Sequence, residues 1–434
     1  MTRTSFSAAV VALCMTIFVV PAAQAQQPDS TRKKPTPADS AAAADSAFFA
    51  NQLKGDSSAA PAAAPASQGG STNPRMMPDI SAVGDFVGDL SPKRSTQADR
   101  TRFGVREVEL AVQAAVDPYF RGDIFLGLSD AEGIAIEQAY LTSTSLPWGL
   151  EARIGRFLTP FGKQNTTHRH DLHTFEYPWV VQRFFGPEGL KGTGIYGSRL
   201  FAPFGFYQEL IVTANDRFGE APAGLTVAEP VNSSLGGLAY TARLRNYWDL
   251  SQATNLELSA SAMTGKVEQP TTFLSGGVVD ADGNPVNASA QRQNVVGVDM
   301  TYRWKPLQTG LYHSFILQAE VMRQMNPDRT FPADRVYGGP TRDFNGGYVF
   351  ARWQLWQRVF LGARYDRLQD PLADGRTFQA GSALLEFFPS EFSKLVAGYE
   401  RLQQPGVETT STSGIDRILL QAVFSLGPHK PHPF

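Results

Sequence analysis

The chain has 434 residues, with 39 Lys and Arg against 41 Asp and Glu, a formal net charge of -2 and one cysteine. A balance this close to neutral excludes a nucleic-acid binder, which carries a basic excess. The one cysteine excludes a disulfide framework, a thiolate metal centre and, because Cys14 lies in the leader described next, a cysteine nucleophile in the mature chain.

Residues 1–25 read as an export signal. Arg3 supplies a positive start, Ala8 to Val20 is an apolar run too short to span a bilayer as a helix, and Ala23-Gln24-Ala25 is a small-x-small cleavage site. Residues 26–75 are rich in Ala, Ser, Pro, Asp and Gln and nearly free of aromatics apart from Phe48 and Phe49. Such a segment cannot bury enough apolar surface to offset its conformational entropy, so it reads as a disordered periplasmic linker.

From residue 76 to the C-terminus the chain reads as one all-β domain. Val108, Leu110, Val112, Ala114 and Val116 alternate with Glu107, Glu109, Ala111, Gln113 and Ala115, and Asp117-Pro118 ends the run. Leu256, Leu258, Ala260 and Ala262 alternate with Glu257, Ser259 and Ser261, and Val296, Val298, Met300 and Tyr302 with Asp299, Thr301 and Arg303. This period of two is that of a strand with one apolar and one polar face. Sixteen such segments fall near 79–87, 102–116, 119–128, 133–144, 149–157, 192–201, 205–215, 236–246, 254–264, 293–304, 313–323, 346–356, 358–367, 377–387, 394–402 and 414–426. Most are close to the roughly 9–11 residues that a tilted strand needs to cross a bilayer. Short connections alternate with longer ones at 158–191, 216–235, 265–292, 324–345 and 403–413. An even strand count with short turns on one side predicts a sixteen-stranded antiparallel transmembrane β-barrel in the cell outer membrane, with both ends periplasmic. Trp148, Trp248, Trp304, Trp353 and Trp356 all fall at the short-turn ends, as an interfacial girdle requires.

A barrel of about 16–18 strands leaves an aqueous interior. The polar face then places Arg121, Arg153, Arg243, Arg303, Arg352 and Arg364 toward the lumen, opposite rows of carboxylates that include Glu109, Glu137, Glu257, Asp299, Glu320 and Asp366. The long loop 158–191 carries Phe175, Tyr177, Trp179, Val180, Val181, Phe184 and Phe185, which a loop standing in water has no use for. It is expected to fold into the barrel and narrow it, with Lys163, Arg183 and Glu188 at the constriction. His168, His170 and His173 of the same loop form an H-x-H-x-x-H pattern suited to zinc or copper. His429 and His432 in the tail form a weaker second candidate. Asp171 with His173 and Thr166, Thr167 or Thr174 is the one hydrolytic set in view, and nothing in its spacing is specific, so no enzyme activity is expected.

The stretch Ala152-Arg153-Ile154-Gly155-Arg156-Phe157-Leu158-Thr159-Pro160-Phe161-Gly162, with the strand Glu137-Gln138-Ala139-Tyr140-Leu141 before it, resembles the phosphate-selective porin O and P family. The resemblance implies a trimeric sixteen-stranded anion pore over residues 79–427. The chain lacks that family's lysine cluster, and Pro428, Pro431 and Pro433 interrupt the approach to its terminal Phe434. The reading is an outer-membrane porin for passive diffusion of small hydrophilic solutes, anions such as phosphate among them. Its partners are those solutes, outer-membrane lipid and two further copies of the chain in a homotrimer, with no cofactor and no nucleic acid. The alternatives are a barrel that binds or takes up zinc or copper, and a structural or adhesive barrel with a blocked lumen.

Overall fold

Inside hydrocarbon every backbone N–H and C=O needs a partner within the protein, and strands achieve this only by closing on themselves. The computed structural model describes residues 77–97, 101–129, 133–216, 218, 235–270, 278–279, 283, 285–286, 288–327, 343–373, 375–405 and 412–427. The expected export signal, the linker at 26–75, and the tail with His429 and His432 lie outside the described residues. The strands are β1 (Asp79–Asp89), β2 (Phe103–Ala115), β3 (Phe120–Ser129), β4 (Gly133–Ser143), β5 (Leu150–Leu158), β6 (Lys191–Phe201), β7 (Tyr207–Asn215), β8 (Ala239–Ser251) and β9 (Thr254–Pro270). They continue as β10 (Val278–Val279), β11 (Pro285–Val286), β12 (Ala288–Trp304), β13 (Phe315–Met325), β14 (Asp343–Trp356), β15 (Val359–Asp370), β16 (Arg376–Ser390), β17 (Ser393–Pro405) and β18 (Thr412–Leu426). Sixteen of them form one closed antiparallel barrel in chain order, while β10 and β11 make a separate two-stranded sheet.

Closure is made by β1 against β18, from Ala82 opposite Leu426 to Asp89 opposite Leu419. Gly84 makes room for the seam's aromatics: a Cβ on it would stand 2.7 Å from the Phe424 ring, which stacks on Phe86 at 5.8 Å. Thus the last strand ends at Leu426, with Phe424 packed on the outside of the seam. Gly155, in the motif that carries the family resemblance, sits at φ 135°, and a Cβ there would collide with the Ala139 carbonyl of β4.

Alternation sorts the two faces as a membrane barrel demands. Ile124, Ile154, Ile195, Val212, Val298, Val321, Leu361 and Leu420 face outward and are exposed, while Glu109, Asp123, Thr213, Arg243, Glu257, Asp299, Arg352, Asp366 and Glu386 face inward and are buried. The short-turn end carries the expected aromatic belt. Trp148, Trp353 and Trp356 are exposed, Trp304 stacks on Trp353 at 6.1 Å, and Phe206 meets Trp248 at 4.7 Å.

Two expected loops are partly strand. The β9–β12 hairpin stays paired out to Pro270 and Ala288, and the β17–β18 hairpin to Pro405 and Thr412. Residues such as Lys266, Gln291 and Arg292 are polar on both faces. Beyond the membrane nothing selects apolar residues, so the alternation fades while backbone pairing continues. Ile154 lies at the middle of β5 on the outer face, 60% exposed. Ile154→Arg is expected to lower folding stability in lipid vesicles by about 2–4 kcal/mol, read as a shifted urea midpoint. An unshifted midpoint would place Ile154 away from lipid.

Candidate functional site

The segment between β5 and β6, residues 159–190, does not stand outside the barrel. It turns inward and crosses the lumen. Its neck is clamped by Asn165, whose side-chain amide donates to the carbonyls of Thr159 (2.7 Å) and Leu190 (2.9 Å) and whose Oδ1 accepts from the Leu190 N–H (2.6 Å). Asn215 of β7 adds a bond to Thr159 Oγ1 at 2.7 Å. Within the loop lies one short helix, α1 (Trp179–Phe185), entered from Pro178 and ended by Gly186 at φ 110°. Its Val180, Val181, Phe184 and Phe185 are buried with Phe161, Leu172, Tyr177 and Leu190 from the rest of the loop. The wall supplies Met263, Val295, Met322, Phe344, Phe350, Leu368 and Phe378 to the same cluster. A hydrophobic core thus sits inside a membrane barrel, and the loop's aromatics are its centre.

Charge fastens the loop all around. On one side the Gly162 carbonyl accepts from Arg243, Lys163 Nζ lies 2.9 Å from Glu257, and Gln164 bonds Gln318 at 2.9 Å. Opposite, Arg364 donates to Thr174 Oγ1 and to the Glu176 carbonyl, both at 2.8 Å. Arg417 reaches Glu176 at 3.0 Å and Glu400 at 2.8 Å, and Trp179 gives its indole N–H to Glu400 (3.0 Å) and its backbone N–H to Asp366 (2.8 Å). Lys394 donates to the carbonyls of His170 (2.6 Å) and Leu172 (3.0 Å), and Arg106 to that of Phe175.

Of the predicted lumen arginines, all face inward, yet Arg153, Arg243, Arg303, Arg352 and Arg364 are each less than 9% exposed. They do not stand in open water, because wall carboxylates and the folded loop use them. Arg243 pairs with Asp299 at 3.0 Å, Arg352 forks onto Glu386 at 2.8 and 2.9 Å, and Arg364 binds Asp366 at 2.7 Å. Arg153 reaches Glu151 at 2.8 Å and lies over the rings of Tyr140 and Tyr196 at 5.2 and 4.8 Å. Arg121 is the more open one, 24% exposed beside Asp123.

Lys163, Arg183 and Glu188 all lie on the inward loop. Burial pushes the Lys163 ammonium down to about 8 against the pull of Glu257. Arg183 sits 3.6 Å from Asp370 and over the rings of Trp179 and Phe378, and Glu188 is joined to Lys191 and Arg169. The three histidines do not converge. His168 and His170 meet at Glu109 of β2, while His173 lies apart, stacked on Phe350 and 4.0 Å from Glu386. Burial and the cations Arg352, Lys394 and Arg303 hold the His173 imidazole well below its ordinary value, a setting that repels a metal ion. Asp171 Oδ1 lies 3.6 Å from His170 Nε2.

Sequence reasoning had not singled out Asn165, Glu176, Glu386, Glu400 or Lys394 as the groups that hold the loop. Strand parity turns the last three inward, but their partners lie some 200 residues away, as with the |i−j| of 224 between Lys394 and His170. For Glu176, burial works to raise the carboxyl, and Arg417 together with Arg106 and Arg169 outweighs it and holds the group at about 2. A carboxyl depressed in the folded state stabilises above its ordinary value of about 4.3, and that contribution is lost as pH falls toward about 2. Acid titration of Trp179 fluorescence, taken as wild type minus Trp179→Phe, is therefore expected to show a transition in that window. In Glu176→Gln it should vanish, and its persistence would mean another group releases the helix.

A closed sixteen-strand barrel with an apolar outer band, an aromatic belt and a loop folded into its lumen is a barrel of the bacterial outer membrane. No family model matches the chain. An uncharacterised protein of Aquifex aeolicus (strain VF5) is 25% identical over 374 residues, 80% of this chain and 72% of that protein. OprB of Pseudomonas putida superposes with a TM-score of 0.55 at 10% identity, over 80% of this chain and 94% of OprB. OmpT, an outer membrane protein of Vibrio cholerae in trimer form, gives 0.51 at 8% identity, over 81% and 99%. These solved structures share the fold with this chain.

Proposed function

We propose that the chain is a porin, a passive diffusion route for small hydrophilic solutes, and that it is not an enzyme. The observation that carries this is the inward loop: a polar-lined barrel whose cross-section is set by a folded-in constriction. Partly exposed charges lie both on the β2–β7 wall and on the loop, where Asp171 is 39% exposed and Glu176, bound to Arg417 of β18, is 33% exposed. Arg121 is 24% exposed, Glu151 26%, Glu209 17%, and Arg169 and Glu188 22% each. Water reaches these groups, so the passage runs beside the loop and past charges of both signs.

The finer reading, an anion channel that takes phosphate, needs cations free to face the passage. The buried arginines are committed to carboxylates, and the exposed charges are of both signs. We therefore propose weak ion selectivity. Assembly as a homotrimer belongs to the same reading, and the trimer form of OmpT supports it.

Single-channel recording of the refolded protein in a planar bilayer tests this. Stable conductance steps with a reversal potential near zero in a salt gradient are expected. A strong anion potential would restore phosphate as the leading solute. Arg364→Ala combined with Arg417→Ala should loosen the loop and raise conductance and current noise. No conductance from either form, with the barrel intact by heat-modifiable gel mobility, would sink the porin reading and leave a blocked structural barrel.

A further inference from the structure

Where the loop passes the wall of β2, Glu109, His168 and His170 each offer one donor atom, and the three atoms lie within 4.8 Å of one another. Glu109 Oε2 stands 2.7 Å from His168 Nδ1 and 3.9 Å from His170 Nδ1. A tetrahedral zinc with bonds of about 2.0–2.1 Å holds its ligand atoms about 3.3 Å apart. The two separations bracket that edge, each about 0.6 Å from it, and the two imidazole nitrogens lie within 4.8 Å of one another, so rotamer adjustments of the three side chains bring the donors onto the ion.

The far nitrogen of His168 is hydrogen-bonded and that of His170 faces a carboxylate just beyond bonding distance. His170 Nε2 is 3.6 Å from Asp171 Oδ1, and His168 Nε2 is 2.9 Å from the Gln138 amide. An imidazole that binds metal through one nitrogen uses the other to bond a carboxylate or amide that fixes its ring. Metal on His168 Nδ1 puts the ring proton on Nε2, so Gln138 would turn its amide oxygen toward the ring. Burial favours the site too, since His170 is 2% and Glu109 4% exposed. Beside it opens a small polar cavity lined by Glu107, Glu137, His168, Arg169 and Glu188, with room for water as fourth ligand.

We propose that Glu109, His168 and His170 bind a divalent ion of the zinc type, with Asp171 positioning His170, and that the ion staples the inward loop to the barrel wall. Two neutral imidazoles, one carboxylate ligand and the neighbouring Asp171 balance its charge. The set differs from the H-x-H-x-x-H expectation, because Glu109 of the wall replaces His173.

The test is zinc titration calorimetry on the refolded, chelator-washed full chain in detergent, with cobalt absorption as a second readout. One site of about micromolar affinity or tighter is expected, with cobalt bands of tetrahedral strength. His168→Ala combined with His170→Ala should abolish both signals, Asp171→Asn should weaken binding about 10–100-fold, and His173→Ala should leave it unchanged. Heat-modifiable mobility checks folding of each variant, and Asp171→Asn with His173→Ala keeps the comparison intact if the double variant does not fold. Zinc heats equal to buffer with the folded wild type would overturn the proposal. So would undiminished binding in the double variant, or equal loss in Asp171→Asn and His173→Ala. Metal is read directly here, so the result stands apart from the conductance result.

Discussion

The backbone's need for internal hydrogen bonds in hydrocarbon governs everything else in this molecule. It forces closure of the sheet, with β1 on β18, and closure turns every second side chain into an enclosed space. The outward set must be apolar to face lipid, so the polar half of each strand has nowhere to go but inside. The result is an interior crowded with charge: Asp85, Glu109, Arg243, Glu257, Asp299, Arg352, Arg364, Asp366, Glu386 and Arg417 all point inward and are buried. Charges taken out of water are costly unless paired, and losing one partner leaves the other stranded. Ion pairing inside the barrel is thus a consequence of the fold.

The inward loop resolves that crowding on its own terms. Its carbonyls at Gly162, His170, Leu172, Phe175 and Glu176 accept from Arg243, Lys394, Arg106 and Arg364, groups that wall carboxylates alone would not fully satisfy. In return the wall offers an apolar ring, from Met263 through Phe378, for the loop's aromatics. Apolar burial gives the loop its hold, and the ion pairs give it a defined position. Of the arginines that sequence alone assigns to the pore surface, Arg243 and Arg364 hold the loop and Arg153 and Arg352 pair with wall carboxylates, which removes the simplest argument for anion selectivity. What water still touches is a set of charges of both signs, on the wall at Arg121 and Glu151 and on the loop at Asp171, Glu176 and Glu188.

The strand pattern, the short-turn end with its tryptophans and the presence of a loop too apolar for water were all legible in the chain, because lipid imposes a period of two and an interfacial belt that local sequence must obey. The outer extensions of β9, β12, β17 and β18 were not, since pairing above the membrane leaves no hydropathy signature. The loop's anchors were legible only as a parity: Glu386, Lys394 and Glu400 could be turned inward, but not joined to Glu176 or His170.

What the sequence by itself determined is therefore the barrel, its strand count and which face of each strand meets lipid, because these follow from periodicity and the solvent on each side. Only the tertiary structure decided which charges face water and which histidines meet. His168 and His170 come to Glu109, and His173 is carried away to Phe350, because the loop's path across the lumen is set by its contacts with strands far along the chain. Spacing within a loop does not encode that path.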